Sequence, residues 1–144
     1  MGISLCMIAR NEEDYIKAAL NSVKPIVDEM IVVDTGSNDN TKDIAKEFTE
    51  KIYDYAWDDN FSSARNFSIS KASHDWILVL DADEVVAGED SARIKELAKD
   101  DTHLGYAFTQ VNYTNDINAF SYTPVLKPSW YTKNFSGYIT CNII

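Results

Sequence analysis

Apolar residues in the first hundred positions fall by turns into short continuous runs and into stripes spaced three and four apart. Ile3-Ser4-Leu5-Cys6-Met7-Ile8 is a strand-length run, and Ile16, Ala19, Leu20 and Val23 then hold the spacing of one helix face. Pro25 ends that helix. Met30-Ile31-Val32-Val33 is a second buried run and leads straight into Asp34. Thr35 to Thr41 is a turn rich in helix-capping residues, and the helix after it turns Ile44, Ala45 and Phe48 inward. Lys51 to Tyr55 predicts a short third strand, and Ser62 or Ser63 is placed to cap a helix reaching about Ala72. Trp76-Ile77-Leu78-Val79-Leu80 is the most apolar strand, with Asp81 at its end. Asp90 or Ser91 caps a further helix, with Ile94, Leu97 and Ala98 inward.

Strands alternating with helices predict an α/β fold, a mostly parallel, Rossmann-like sheet covered by helices on both faces. Beyond residue 100 the pattern changes. Residues 104–127 and 135–144 read as β-structure, with Asn115-Asp116 near a hairpin turn, and this tail is expected to add antiparallel or mixed strands. The first 100 residues hold 21 of the 23 acidic and 11 of the 13 basic residues, whereas nine of the 17 aromatics lie after them. That shift divides one domain into residues 1–100 and a β-rich segment 101–144, without a linker between them.

Charge narrows the function. The 144-residue chain carries a net charge of −10, which argues against nucleic acid or an anionic membrane as a partner, since both call for a basic surface. An acidic protein that takes an anionic substrate needs a local counter-charge, and a divalent cation is the simplest one. The longest apolar runs are strand-sized, so no transmembrane helix is expected. No basic segment precedes the first strand, so no signal peptide is read and a cytoplasmic location is expected. Cys6 and Cys141 each sit in an apolar run and read as buried free thiols.

In open α/β sheets ligands bind beyond the carboxyl ends of the strands. Asp34 ends the second strand and Asp81 the fourth, so both carboxylates belong to one rim. Asp81 and Asp83 are two apart and point the same way in an extended segment. Ala82 between them is small and lets a ligand approach. Two hard oxygen donors suit Mg²⁺ or Mn²⁺, which completes its shell with substrate phosphates. The plainer alternative makes Asp81, Asp83 and Glu84 ordinary turn and cap residues.

Four segments together resemble glycosyltransferase family 2, a group with the GT-A fold. They are Ser4-Leu5-Cys6-Met7-Ile8-Ala9-Arg10-Asn11-Glu12-Glu13, Ile31-Val32-Val33-Asp34-Thr35-Gly36-Ser37-Asn38-Asp39-Asn40-Thr41, Phe61-Ser62-Ser63-Ala64-Arg65-Asn66 and Leu78-Val79-Leu80-Asp81-Ala82-Asp83-Glu84. The resemblance implies a metal-dependent transfer of a sugar from a nucleotide diphosphate sugar, with a UDP-sugar favoured, to an unknown acceptor, with inversion. It implies that Ala9, Asn11 and Glu12 line the base and ribose, and that Asp34 hydrogen-bonds base or ribose. Thr35 stands where the family often has a second Asp. By the same resemblance, Arg65 lies near the diphosphate or pairs with an Asp of the rim, Asp81 contacts ribose or metal, and Asp83 holds the metal.

Plainer readings stay open beside these. Arg65 on a helix surface has Asp58 or Asp59 as partners, and Asn11 and Glu12 serve equally as caps of the first helix. The family's base is expected in the second half, where Asp101 and Asp116 are the only acidic residues. Phe135-Ser136-Gly137-Tyr138-Ile139 begins like a family segment but continues with Thr140 and Cys141, so no base is assigned and the second half reads as incomplete. Tyr106, Phe108, Tyr113, Trp130 and Tyr131 form a sugar platform, a packing layer or an oligomer contact, with packing favoured. Two rivals remain. One is a non-catalytic module that binds a nucleotide sugar or a protein partner. The other is a haloacid-dehalogenase-like phosphatase, whose D-x-D-x-[TV] pattern Asp81 to Val85 satisfies, although that family places its Asp after the first strand.

Overall fold

The computed structural model describes residues 2–100 and 102–108 in full and residues 137–140 as backbone. Six strands and four α-helices are present among them. They are β1 (Ile3–Ala9), α1 (Ile16–Val23), β2 (Glu29–Asp34), α2 (Thr41–Lys46), β3 (Ile52–Asp54), α3 (Phe61–Ile69), β4 (Trp76–Val79), α4 (Ser91–Leu97), β5 (Gly105–Ala107) and β6 (Gly137–Thr140). A short 3₁₀ turn, Gly88–Asp90, leads into α4. The sheet runs in the order β3-β2-β1-β4-β6-β5, and every pairing is parallel.

The alternation of side chains along each strand sorts the core into two layers. Ile3, Leu5, Met7 and Ala9 of β1, Met30 and Val32 of β2, and Trp76 and Leu78 of β4 share one layer with α1, Ala45 of α2 and Ile94 of α4. The intervening residues Cys6, Ile31, Val33 and Ile77 face the other way and pack with Ile69 of α3. Helices therefore cover both faces, and the strands are apolar at successive positions, as a doubly covered parallel sheet requires. In α1 the stripe Ile16, Ala19, Leu20 and Val23 is buried as the spacing predicts. The Cys6 thiol is free and buried.

Three expectations are corrected. The tail strands β5 and β6 are parallel to β4, not antiparallel or mixed. Apolar alternation carries no strand direction. The stretch 108–136 between β5 and β6 exceeds the dozen or so residues that a parallel crossover needs. Helix α3 is capped two residues before Ser62, by Asn60, whose side chain accepts from the Ser63 amide at 3.1 Å, and it stops at Ile69, short of Ala72. Asp90 precedes α4 but makes no side-chain capping bond. The expected hairpin at Asn115-Asp116, and Tyr113, Trp130, Tyr131, Asp101, Asp116 and Cys141, lie outside the described residues. Of the tail aromatics within them, Tyr106 stacks on buried Trp76 at 5.6 Å and Phe108 packs against the core, which is the packing role. Among the described residues no helix is long and apolar enough to cross a membrane.

Candidate functional site

The carboxyl ends of β1, β2 and β4 open onto one rim, and a cleft of about 400 Å³ lies across it. It is lined by Ala9, Glu12, Arg65, Asp81, Ala82 and Asp83, together with Ile8, Arg10, Thr35, Trp57 and Phe61. Six of the eight expected site residues thus meet in one place. Asn11 and Asp34 do not line the cleft.

Asp81 follows directly on Leu80, which is wholly buried, so the strand is anchored up to the last residue before the rim. The turn is then closed from both sides. The Glu84 amide donates to the Asp81 carbonyl at 3.1 Å, and the Asp81 amide donates to the Glu84 carboxylate at 3.1 Å. Ala82 is buried beneath it while Asp81 and Asp83 are exposed. Glu84 is 9% exposed. Burial pushes its carboxyl up to about 7, the charges of Asp81 and Asp83 adding to the rise and the Asp81 amide and Arg65 opposing it.

Arg65 reaches the rim from α3. Its guanidinium donates to Asp81 Oδ1 at 2.7 Å and to the Cys6 carbonyl of β1 at 3.0 Å. The alternative partners are engaged elsewhere: Asp58 accepts from the Tyr55 hydroxyl and Asp59 from the Trp57 indole. The ion pair is one-sided in exposure, with Arg65 mostly covered at 17% and Asp81 open at 58%. Asp81 thus keeps most of its carboxylate in the cleft.

The loop after β1 is stapled to the loop after β2. Asn11 has φ 56°. Its amide donates to Ser37 Oγ at 2.9 Å and its side-chain oxygen accepts from the Asn38 amide at 2.8 Å. The Glu12 amide donates to Thr41 Oγ1 at 2.7 Å, and Glu13 accepts from both the backbone and side chain of Asn40. Asn11 therefore spends its side chain on the neighbouring loop and makes no cap on α1. The Glu12 side chain is left to the cleft, where burial raises its carboxyl above the usual range and the charges of Asp83, Asp39 and Asp81 raise it further.

Asp34 is 3% exposed. Its Oδ2 accepts from the Gly36 amide at 3.1 Å and the Ser37 amide at 3.0 Å, so it holds the turn after β2. Gly36 stands there at φ 103°, where a β-carbon would be strained. Asp34 Oδ1 is buried with no hydrogen-bond partner, alone in this among side-chain oxygens and nitrogens of the described residues. An orphaned carboxylate oxygen inside a protein costs free energy unless something donates to it.

Sequence reasoning passed over the aromatic members of the cleft, Trp57 and Phe61. A signal existed, because Phe61 and Arg65 are four apart and so share a helix face once the helix is known to start at Phe61.

The family model described as Glycosyl transferase family 2 matches residues 4–143. A TPR repeat-containing protein of Synechococcus elongatus is 55% identical over 82 residues, which cover 57% of this chain and 20% of that protein. An uncharacterized glycosyltransferase of Rickettsia typhi is 34% identical over 141 residues, 94% of this chain and 48% of its own. The crystal structure of glucosyl-3-phosphoglycerate synthase from Mycobacterium tuberculosis in complex with Mg²⁺ and UDP superposes with a TM-score of 0.57 at 24% identity, over 74% of this chain and 43% of that one. The chain spans about half the length, or less, of these proteins.

Proposed function

The chain belongs to glycosyl transferase family 2 and has the GT-A fold, and on that premise we propose that its cleft binds a nucleoside diphosphate sugar, a UDP-sugar by preference, for glycosyl transfer. The observation that carries this reading is the meeting of Asp81, Asp83, Glu12 and Arg65 in one cleft at the carboxyl rim of a parallel sheet.

The donor set fits a divalent cation. Asp81 and Asp83 are exposed in the same cleft, and the carboxyl of Glu12 beside them is raised first by burial and then by the charges of Asp83, Asp39 and Asp81, a repulsion that a cation relieves. Among the described residues no three His, Cys, Asp or Glu side chains converge on one point. Two carboxylates, Asp81 and Asp83, would leave coordination positions for phosphate oxygens and water, as Mg²⁺ and Mn²⁺ usually require. Asp81 and Asp83 would hold the ion. When bound, it supplies counter-charge for the departing diphosphate.

The chain's own groups do the rest. Arg65 braces Asp81 against β1 and adds positive charge to the phosphate end of the cleft. Asp34 holds the turn beside the β2 end through its Oδ2, while Ala9 and Glu12 border the ribose. In the transfer the bond from the anomeric carbon to the diphosphate oxygen breaks and a bond from the acceptor oxygen forms. The acceptor proton passes to a general base on the acceptor side. Inversion is inferred from the family alone.

Calorimetric titration with UDP tests the reading. Micromolar binding is expected with Mn²⁺ and a loss of at least tenfold with EDTA, and Asp83→Asn should match the chelated protein while staying folded. Equal affinity in both conditions removes the cation. No binding of any nucleoside diphosphate removes the donor function.

A further inference from the structure

The cleft has an aromatic wall that the donor reading above leaves unused. Trp57 and Phe61 meet edge to face, with ring centroids 4.7 Å apart and planes at 74°. Both line the cleft that holds Asp81 and Asp83. Phe61 is 74% exposed, so its ring is spent on no core contact. The pair is nevertheless held in place. The Trp57 indole N–H donates to Asp59 Oδ1 at 2.8 Å, Asp59 takes a left-handed backbone at φ 58°, and Asn60 caps α3 so that Phe61 is its first residue. Arg65 follows one turn later on the same helix face.

Position along the rim selects the partner. The carboxylates stand at the end of β4, and the strands continue from it as β1, β2 and β3. Trp57 lies just past β3, on a segment tied to the end of β2 by the bond from the Tyr55 amide to the Asp34 carbonyl, 2.8 Å. Strands lie about 4.8 Å apart, so two to three spacings, roughly 10–14 Å, separate the end of β4 from the segment that carries the aromatic pair. An extended nucleoside diphosphate has the same polarity, with phosphates at one end and a flat ring at the other.

We propose that Trp57 and Phe61 are the stacking wall for the nucleobase of the donor. The proposal rests on the nucleotide reading of the cleft and adds to it which residues grip the base. Stacking tolerates every base, because each has a π-face. The wall therefore supplies affinity, and the choice between uracil and guanine is made elsewhere.

Titration calorimetry of Trp57→Ala, Phe61→Ala and Trp57→Phe with UDP, with GDP and with inorganic pyrophosphate, all with Mn²⁺, tests it. The alanine variants should lose about 5- to 150-fold in affinity for both nucleotides, the range of one aromatic–base stack. They should keep the wild-type affinity for pyrophosphate, and Trp57→Phe should retain most nucleotide binding. Phe61 is exposed, so its truncation removes no core contact and the folded chain is preserved. Unchanged UDP affinity in both alanine variants overturns the wall and leaves the donor reading standing. Equal losses for UDP and pyrophosphate also overturn it, because the residues then only shape the rim. Failure of the wild-type chain to bind either nucleotide overturns the donor reading and the wall with it.

Discussion

Single residues in this molecule show how one side chain serves the fold and the site at once. Arg65 touches β1 through the Cys6 carbonyl and the rim through Asp81, so the placement of the acidic turn depends on a helix from the opposite face of the sheet. Glu29 does comparable work at the other end of the strands. It is the first residue of β2 and nearly buried, and it accepts from Lys51 Nζ, from Ser4 Oγ at 2.5 Å, and from the Ser73 amide and hydroxyl at 2.9 and 2.7 Å. Burial alone would raise its carboxyl, but these four bonds outweigh burial and hold it at about 2, against 4.5 in the open chain. A folded-state value below the unfolded one contributes stability that is present above about pH 4.5 and is lost as the pH falls towards 2. The contribution is at most about 3 kcal/mol, and less because Lys51 is half-exposed and screened. Glu29→Gln should lower stability at pH 7 and flatten its fall between pH 5 and pH 2, read from urea midpoints. A wild-type acid limb that persists unchanged in the variant would place that titration on other carboxylates. None of the Glu29 contacts was legible in the sequence, where its partners lie 22 to 44 positions away.

Elements were legible where their apolar period was long, and less so at their ends. The face of α1 and the runs of β1, β2 and β4 lie where periodicity puts them. The start of α3 was read late because Asn60, Ser62 and Ser63 are all capping types within four residues, and only the extended backbone at Asn60 (φ −130°, ψ 98°) decides among them. Asn60→Ala should cost about 1 kcal/mol in denaturant unfolding, whereas Asn60→Asp should cost little, since a carboxylate caps equally well. A similar cost from Ser62→Ala would return the cap to the serine. Because Phe61 and Arg65 are fixed by the register of this helix, the cap also sets the aromatic and cationic side of the cleft.

At the scale of the whole molecule, the two core layers clamp the sheet while its surface stays strongly acidic, at a net charge of −10. The surface ion pairs, such as Lys17–Glu47 and Lys46–Asp43, join exposed side chains and contribute little. Long-range repulsion should therefore dominate the salt response. Raising NaCl from about 0.01 M to the physiological range, where the screening length is about 8 Å, should raise the thermal midpoint at pH 7 by about 2–4 °C, equivalent to about 1 kcal/mol for a chain of this size. A midpoint that falls with salt would show that the ion pairs outweigh the net charge.

The α/β class, the two-faced burial of the strands and the placing of Asp34 and Asp81 at strand ends were all legible in the chain's local pattern. Each of these follows from local periodicity and from the polar residue that ends an apolar run. Its four motif segments also pointed to the family. The relations between segments far apart in the chain came from the packing instead. Asp34 and Asn11 carried the same motif signal as Asp83, yet folding turns Asp34 into the support of its own turn and Asn11 into a staple between loops. Trp57 stands in no motif segment and Phe61 only at the head of one, yet folding lines the cleft with both. Hydrogen-bond partners and cleft walls are set by which strands become neighbours and how their loops meet, and the order β3-β2-β1-β4-β6-β5 is a property of the packed chain rather than of any local stretch of it.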